Sequence, residues 1–117
     1  MSMIFIEYPK CTTCIKAKKF LKENNVEFVN RNIVEENPTA EELSLWMDKS
    51  GLEPRKFFNT SGVLYREMNL KDKIKTMSKE EMIEILSTNG MLVKRPLLVT
   101  EDIVLVGFKE ENYKEII

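Results

Sequence analysis

Met3-Ile4-Phe5-Ile6-Glu7-Tyr8-Pro9-Lys10-Cys11-Thr12-Thr13-Cys14 runs from a short apolar segment, through a proline, into two cysteines separated by two residues. The apolar run has the length of a buried strand, and Pro9 closes it. Beyond it, Cys14, Ala17, Phe20 and Leu21 recur at helical spacing as far as Asn24-Asn25. The cysteines therefore fall on a strand-to-helix turn. Unpaired backbone N–H groups and the helix dipole favour a thiolate at Cys11, which starts the helix. Cys14, one turn inside, is expected to be more buried and to act as the resolving thiol, closing an intramolecular disulfide with Cys11.

These are the only cysteines in 117 residues, and the chain has no histidine. Cys-His and Ser-His-Asp nucleophilic sites are excluded, as is any His-ligated metal centre. Two thiolates alone do not close a four-coordinate zinc site, so no metal and no cofactor is expected. A chain of this length with 43% apolar and 32% charged residues suits one domain, residues 1–117, with a substantial core. Its apolar runs are far too short to span a membrane, and the N-terminus lacks a secretory pattern, so a cytoplasmic location without membrane contact is expected. In a reducing cytosol such a pair reads as catalytic or sensing rather than as a permanent cross-link. A net charge of −1 disfavours direct nucleic-acid binding.

Val26 to Ile33 mixes β-branched and aromatic residues with polar ones and reads as a second strand, parallel to the first through a right-handed crossover. Asn37-Pro38 reads as a helix start, with Leu43, Trp46 and Met47 as its buried stripe and Ser50-Gly51 as its end, Gly51 taking a positive φ. Pro54 to Phe58 suits another helical turn, and Asn59-Thr60-Ser61-Gly62 is loop chemistry. Leu64 to Ile74 reads as irregular helix. Ser78 with Glu81 is a capping-box pattern opening a helix through Met82, Ile85 and Leu86, with Asn89-Gly90 as its end. A helical insertion of residues 38–93 thus separates strand two from strand three. Leu97 to Val99 and Ile103 to Val106 flank a short turn as an antiparallel hairpin, and Glu110 to Ile117 suits a last helix. The fold class is α/β: a four-stranded mixed sheet flanked by helices, in thioredoxin-like order with a helical insertion between strands two and three.

Around the thiols, helical periodicity turns Ala17 and Leu21 inward and Lys16, Lys18, Lys19 and Lys22 outward, so these lysines read as a solvated face. Lys10, directly before Cys11, is the exception and a candidate substrate contact. Arg95-Pro96 precedes the third strand, where a proline is tolerated and is a candidate for the cis isomer. In this topology the start of that strand lies beside Cys11, so Arg95 is placed to offer its guanidinium fork to an oxyanion. Arg55 and Arg66 are weaker candidates, since no local pattern aims them at the thiols.

Tyr8-Pro9-Lys10-Cys11-Thr12-Thr13-Cys14, Arg31-Asn32-Ile33, Phe57-Phe58-Asn59-Thr60-Ser61-Gly62 and Lys94-Arg95-Pro96-Leu97 through Val106-Gly107-Phe108 together resemble the ArsC/Spx family across nearly the whole chain. The likeness is to uncharacterised CxxC-containing ArsC-like proteins of low-GC bacteria. The resemblance implies a thioredoxin-like fold, Cys11 as redox nucleophile and a cis proline at Pro96. It implies catalytic roles for Cys11, Cys14 and Arg95, and substrate contacts from Lys10, Thr12, Thr13, Asn59 and Pro96. The partner it implies is a thiol reductant: glutathione, glutaredoxin or thioredoxin. Family arsenate reductases coupled to glutathione and glutaredoxin use one cysteine with three arginines around the oxyanion. Here only Arg95 is in place, with Asn59 and Gly107 at the other two positions. The two-cysteine motif also resembles Spx-type regulators, in which such a switch controls binding to the α subunit of RNA polymerase. Both readings stand at this point: an arsenate reductase-like thiol-disulfide oxidoreductase, and a redox-sensing transcriptional regulator.

Overall fold

The computed structural model describes residues 3–117. Four strands form one mixed sheet in the order β2-β1-β3-β4: β1 (Ile4–Glu7), β2 (Val29–Asn32), β3 (Leu97–Val99) and β4 (Val104–Val106). β1 pairs parallel with β2, Ile4 opposite Val29, and antiparallel with β3, Ile6 opposite Leu97. The β3-β4 pair is the expected antiparallel hairpin. Helix α1 (Thr12–Glu23) makes the crossover from β1 to β2.

Strand alternation divides the interior between the two faces of the sheet. Phe5 and Leu98 pack with Ala17 and Leu21 of α1 and with Tyr113 of the last helix, α6 (Glu110–Ile116). Ile6 and Leu97 face the other way, against Leu43, Trp46, Leu86 and Val93 of the insertion. That insertion contains α2 (Ala40–Ser50), a 3₁₀ turn (Pro54–Phe57), α3 (Val63–Glu67), α4 (Leu70–Lys73), a 3₁₀ turn (Ile74–Thr76), α5 (Lys79–Leu86) and a 3₁₀ turn (Gly90–Leu92). Gly51 ends α2 at φ 68, and Ser78 with Glu81 forms the capping box of α5, both as the sequence indicates.

Several boundaries differ from expectation for local reasons. β2 is only Val29–Asn32, because Val26 N–H closes the end of α1 on the Leu21 carbonyl and Asn25 takes φ 57. The cap of α2 is Thr39, not Asn37-Pro38: its hydroxyl accepts from Glu42 N–H and the Glu42 carboxylate accepts from Thr39 N–H. Asn37 instead donates from its side chain to the Ser87 carbonyl at 2.7 Å, tying the start of α2 to the end of α5. The segment Leu64 to Ile74 is broken between α3 and α4 by Asn69 at φ 53. Asn89-Gly90 does not end α5, which stops at Leu86; Asn89 caps the following 3₁₀ turn, and buried Gly90 lies against the backbone of Ile33. A Cβ at Gly90 would sit 1.8 Å from the Ile33 carbonyl oxygen, so a side chain there is excluded by contact rather than by torsion. Among the described residues no helix is long and apolar enough to cross a membrane.

Candidate functional site

Cys11 is the N-cap of α1, extended at φ −83, ψ 119, and its Sγ accepts a hydrogen bond from Cys14 N–H at 3.4 Å. The first turn of α1 carries no acidic residue to oppose a negative charge. Burial by itself raises the Cys11 pKa, but hydrogen bonds from Cys14 and the Arg95 guanidinium outweigh it, and the thiol lies below its ordinary value of 9.0. Cys14 is fully buried. Burial first, and then the neighbouring Cys11 thiolate, push its pKa up to about 12. Both cysteines are free thiols, so the pair stands as one partly exposed, ionisable sulfur above one protonated sulfur.

Arg95 precedes β3, and the Arg95–Pro96 peptide bond is cis. Its Nη1 donates to the Met91 carbonyl at 3.2 Å, and its guanidinium carbon lies 5.1 Å from the centroid of the Tyr8 ring. A carbonyl on one side and an aromatic face on the other hold the planar cation while leaving donors unspent. The loop after the first 3₁₀ turn is drawn to the same place: Asn59 N–H donates to the Leu92 carbonyl at 2.8 Å, Lys94 N–H donates to the Phe57 carbonyl at 2.8 Å, and Phe58 and Val93 form a bridge. Asn59 and Arg95 share Met91, because the Asn59 amide also donates to that carbonyl at 3.4 Å.

A cavity of about 430 Å³ opens between these segments. Of the residues singled out from the sequence, Lys10, Cys11, Thr13, Asn59 and Arg95 line it. Thr12 is exposed on the first turn of α1 and is not part of the wall. Pro96 is buried beneath the wall and contributes its carbonyl to Gly107 N–H at 2.8 Å. Lys19 and Lys22 are exposed and border a different cleft, as a solvated face would, whereas Lys18 departs from that reading: it is half-buried and pairs with buried Glu7 at 2.9 Å. Arg55 pairs with Glu53 at 2.6 Å on the exposed surface, away from this cavity. Tyr8, Lys94 and Lys109 also line the cavity. Tyr8 and Lys94 fall within the sequence motifs but carry no role there, and Lys109 falls in none of them. Lys94 and Lys109 arrive through tertiary folding, and with Lys10 and Arg95 they give the wall four cations and no carboxylate. The arrangement can hold an anion or a polarised oxygen beside a thiolate, with a second thiol one helical turn behind it.

The sequence profile described as the ArsC family matches residues 6–116. The chain is 51% identical over 115 residues to the protein YusI of Bacillus subtilis, described as uncharacterized, covering 98% of each. It is 30% identical over 108 residues to the global transcriptional regulator Spx of Enterococcus faecalis, covering 91% of this chain and 79% of that one. Among solved structures, an ArsC family related protein from Bacteroides fragilis superposes with a TM-score of 0.96 at 58% identity, covering 98% of this chain and 97% of the other.

Proposed function

The chain belongs to the ArsC family, and from that membership we propose that it is a thiol-disulfide oxidoreductase working through Cys11 and Cys14. The observation that carries this reading is the placement of Cys11 Sγ at the start of α1, on the wall of a cation-lined cavity, with Cys14 N–H donating to it. In the reaction, the Cys11 thiolate attacks one sulfur of a disulfide; that S–S bond breaks and the other sulfur leaves as a thiolate. Cys14 then gives up its proton and attacks Cys11 Sγ, releasing the second substrate sulfur and leaving a Cys11–Cys14 disulfide. Two electrons pass from the pair to the substrate. A thiol reductant, of the glutathione, glutaredoxin or thioredoxin class, returns them. Arg95 offers its free donors to the departing thiolate or to an oxyanion in the same place.

A single-turnover assay tests the reading. Reduced protein is mixed with hydroxyethyl disulfide, and free thiol is counted against time. Cys11→Ser is expected to abolish turnover, and Cys14→Ser to stop at a mixed disulfide visible by mass. Equal turnover by Cys11→Ser would overturn it.

The identity to Spx supports a second reading, in which the same pair is a redox switch and the folded surface binds the α subunit of RNA polymerase. Binding to that subunit's C-terminal domain, compared between oxidised and reduced protein, decides it. No binding in either state removes it.

A further inference from the structure

A second cleft, of about 690 Å³, opens within the insertion and meets the Cys11 cavity at Thr60 and Lys94, which line both. Its floor is apolar: Phe58, Ile74 and Met82 are almost completely buried, and Tyr65 and Met77 are half-buried. Methionines give such a floor the adaptability to accept more than one anchor shape. The rim is basic, with Arg55, Lys56, Lys71, Lys75 and Lys94 against a single carboxylate, Glu53. Glu53 is already held by Arg55 at 2.6 Å, and Lys75 has only a loose contact with Asp72 at 3.9 Å. Lys56, Lys71 and Lys94 make no ion pair among the described residues. In a chain of net charge −1, this is local concentration rather than general basicity.

We propose that this cleft docks an acidic peptide segment with an apolar anchor, belonging to a protein whose disulfide is thereby presented to Cys11. The inference rests on the thiol reading of Cys11 and names its substrate class. Charge complementarity selects the acidic residues, the Phe58–Met82 floor takes the anchor, and continuity through Thr60 and Lys94 carries the bound chain to the sulfur. A nucleic-acid strand would also meet the cations, but Phe58 is almost completely buried, which leaves half-buried Tyr65 as the one ring of the floor for a base to stack on, and a strand carries no disulfide to present to Cys11.

The test uses cyclic disulfide peptides of equal length, each flanking the disulfide with a Leu-Phe anchor and either four glutamates or four lysines. A third peptide keeps the glutamates and replaces the anchor by Ser-Ser. Reduced protein donates its two electrons to each peptide, so the rate of peptide thiol release reads recognition with no other reductant present. The acidic anchored peptide is expected to react at least about tenfold faster than either control, with the advantage lost in about 0.5 M salt. The combined Lys56→Glu, Lys71→Glu and Lys75→Glu variant is expected to lose that advantage while reducing hydroxyethyl disulfide at the parent rate, which also shows that it is folded. Equal rates for all three peptides, with hydroxyethyl disulfide still reduced, would overturn the docking proposal and leave the thiol reading intact. If no disulfide is reduced, yet the fluorescein-labelled acidic peptide binds and the triple variant releases it, the docking surface stands and the thiol reading falls. Displacement of that peptide by a single-stranded oligonucleotide at equal concentration would overturn the assignment in favour of nucleic acid.

Discussion

The backbone N–H of Cys14 donates to Sγ of Cys11 at 3.4 Å, so the residue whose own thiol is kept protonated by burial helps to ionise its neighbour. One turn of helix thereby separates two chemically identical side chains into a nucleophile and a reserve. The separation needs no histidine, consistent with a chain that has none.

This asymmetry fixes an alkylation profile. With iodoacetamide, Cys11 should react with a midpoint below 9.0, while Cys14 in a Cys11→Ser chain, released from the neighbouring thiolate but still buried, should react only at a pH clearly above that midpoint. Arg95→Ala removes a guanidinium hydrogen bond and charge, so the Cys11 midpoint should move up toward the ordinary value. A hydrogen bond to a charged group contributes about 1.5–3 kcal/mol when dry, and water at this partly open site screens about half of it. Alkylation at pH 7 should then slow about three- to tenfold. An unchanged midpoint in Arg95→Ala would show that the arginine does not act on the thiolate.

Arg31 joins the edge strand to the insertion. Its guanidinium makes two hydrogen bonds to the Glu42 carboxylate, at 2.7 and 2.8 Å, a third to the Glu36 carbonyl at 2.9 Å, and lies 5.7 Å from the centre of the Trp46 ring. Hydrogen bonding to Arg31 is the main reason that the Glu42 pKa lies below 4.5. A carboxyl with a depressed folded pKa adds stability above its unfolded value and loses it as pH falls through the folded one. Glu42→Gln should therefore cost about 1–2 kcal/mol in urea unfolding at pH 7, allowing for the partial exposure of the pair. The difference from the parent should shrink steadily below pH 4.5. A pH-independent difference would show that the loss does not come from the Glu42 charge.

Gly90 offers a test of packing alone. With the Ile33 carbonyl oxygen 1.8 Å from where a Cβ would be, Gly90→Ala forces backbone apart instead of nudging a flexible side chain. Overpacking of this kind costs about 1–3 kcal/mol, and the unyielding partner places this site at the upper end. Urea unfolding of Gly90→Ala measures it; Gly51→Ala is the comparison. A Cβ at Gly51 would meet nothing within 4 Å beyond its chain neighbours, so only the φ of 68 opposes alanine there, at about 1–2 kcal/mol. A smaller loss at Gly90 than at Gly51 would contradict the fold around residue 33.

The parts of this structure that can be read in the sequence are those written in local spacing. The C-x-x-C turn, the 3.6-residue recurrence of Ala17 and Leu21, the Ser78-Glu81 box and the Leu97–Val106 hairpin each depend on neighbours within a few residues. The parts that could not be read are settled by distant chain. Thr39 displaces Asn37 as a cap because Asn37 is drawn to Ser87, fifty residues away, and Gly90 appears to be a helix stop until Ile33 is placed against it. The cationic wall follows the same division: Lys10 and Arg95 stand out by their neighbours and Lys94 belongs to the motif of Arg95, whereas Lys109 is recognisable only once β4 has carried it to the thiol.

That wall also bears on arsenate. The resemblance read in the sequence implies that family arsenate reductases hold the oxyanion with three arginines, and on that reading this chain would match only at Arg95, with Asn59 and Gly107 at the other positions. Two absent charge-assisted hydrogen bonds, at about 1.5–3 kcal/mol each, should weaken arsenate capture about 10²- to 10⁴-fold. The two positions are not equally open to repair. Asn59 already lines the cavity in a half-buried loop, so Asn59→Arg needs only to give up the amide contacts with Met91 and Ser61. Gly107 sits at φ 79, and the Lys94 Cε lies 3.3 Å from where its Cβ would be, so Gly107→Arg meets both a backbone penalty of about 1–2 kcal/mol and an occupied space. In a thiol-coupled assay of arsenate reduction, Asn59→Arg should raise kcat/KM about tenfold or more over the parent, and Gly107→Arg by clearly less. If Gly107→Arg matches or exceeds Asn59→Arg, the oxyanion lies nearer β4 than Arg95 and Asn59 indicate, and their assignment as the anion-holding edge of the cavity fails.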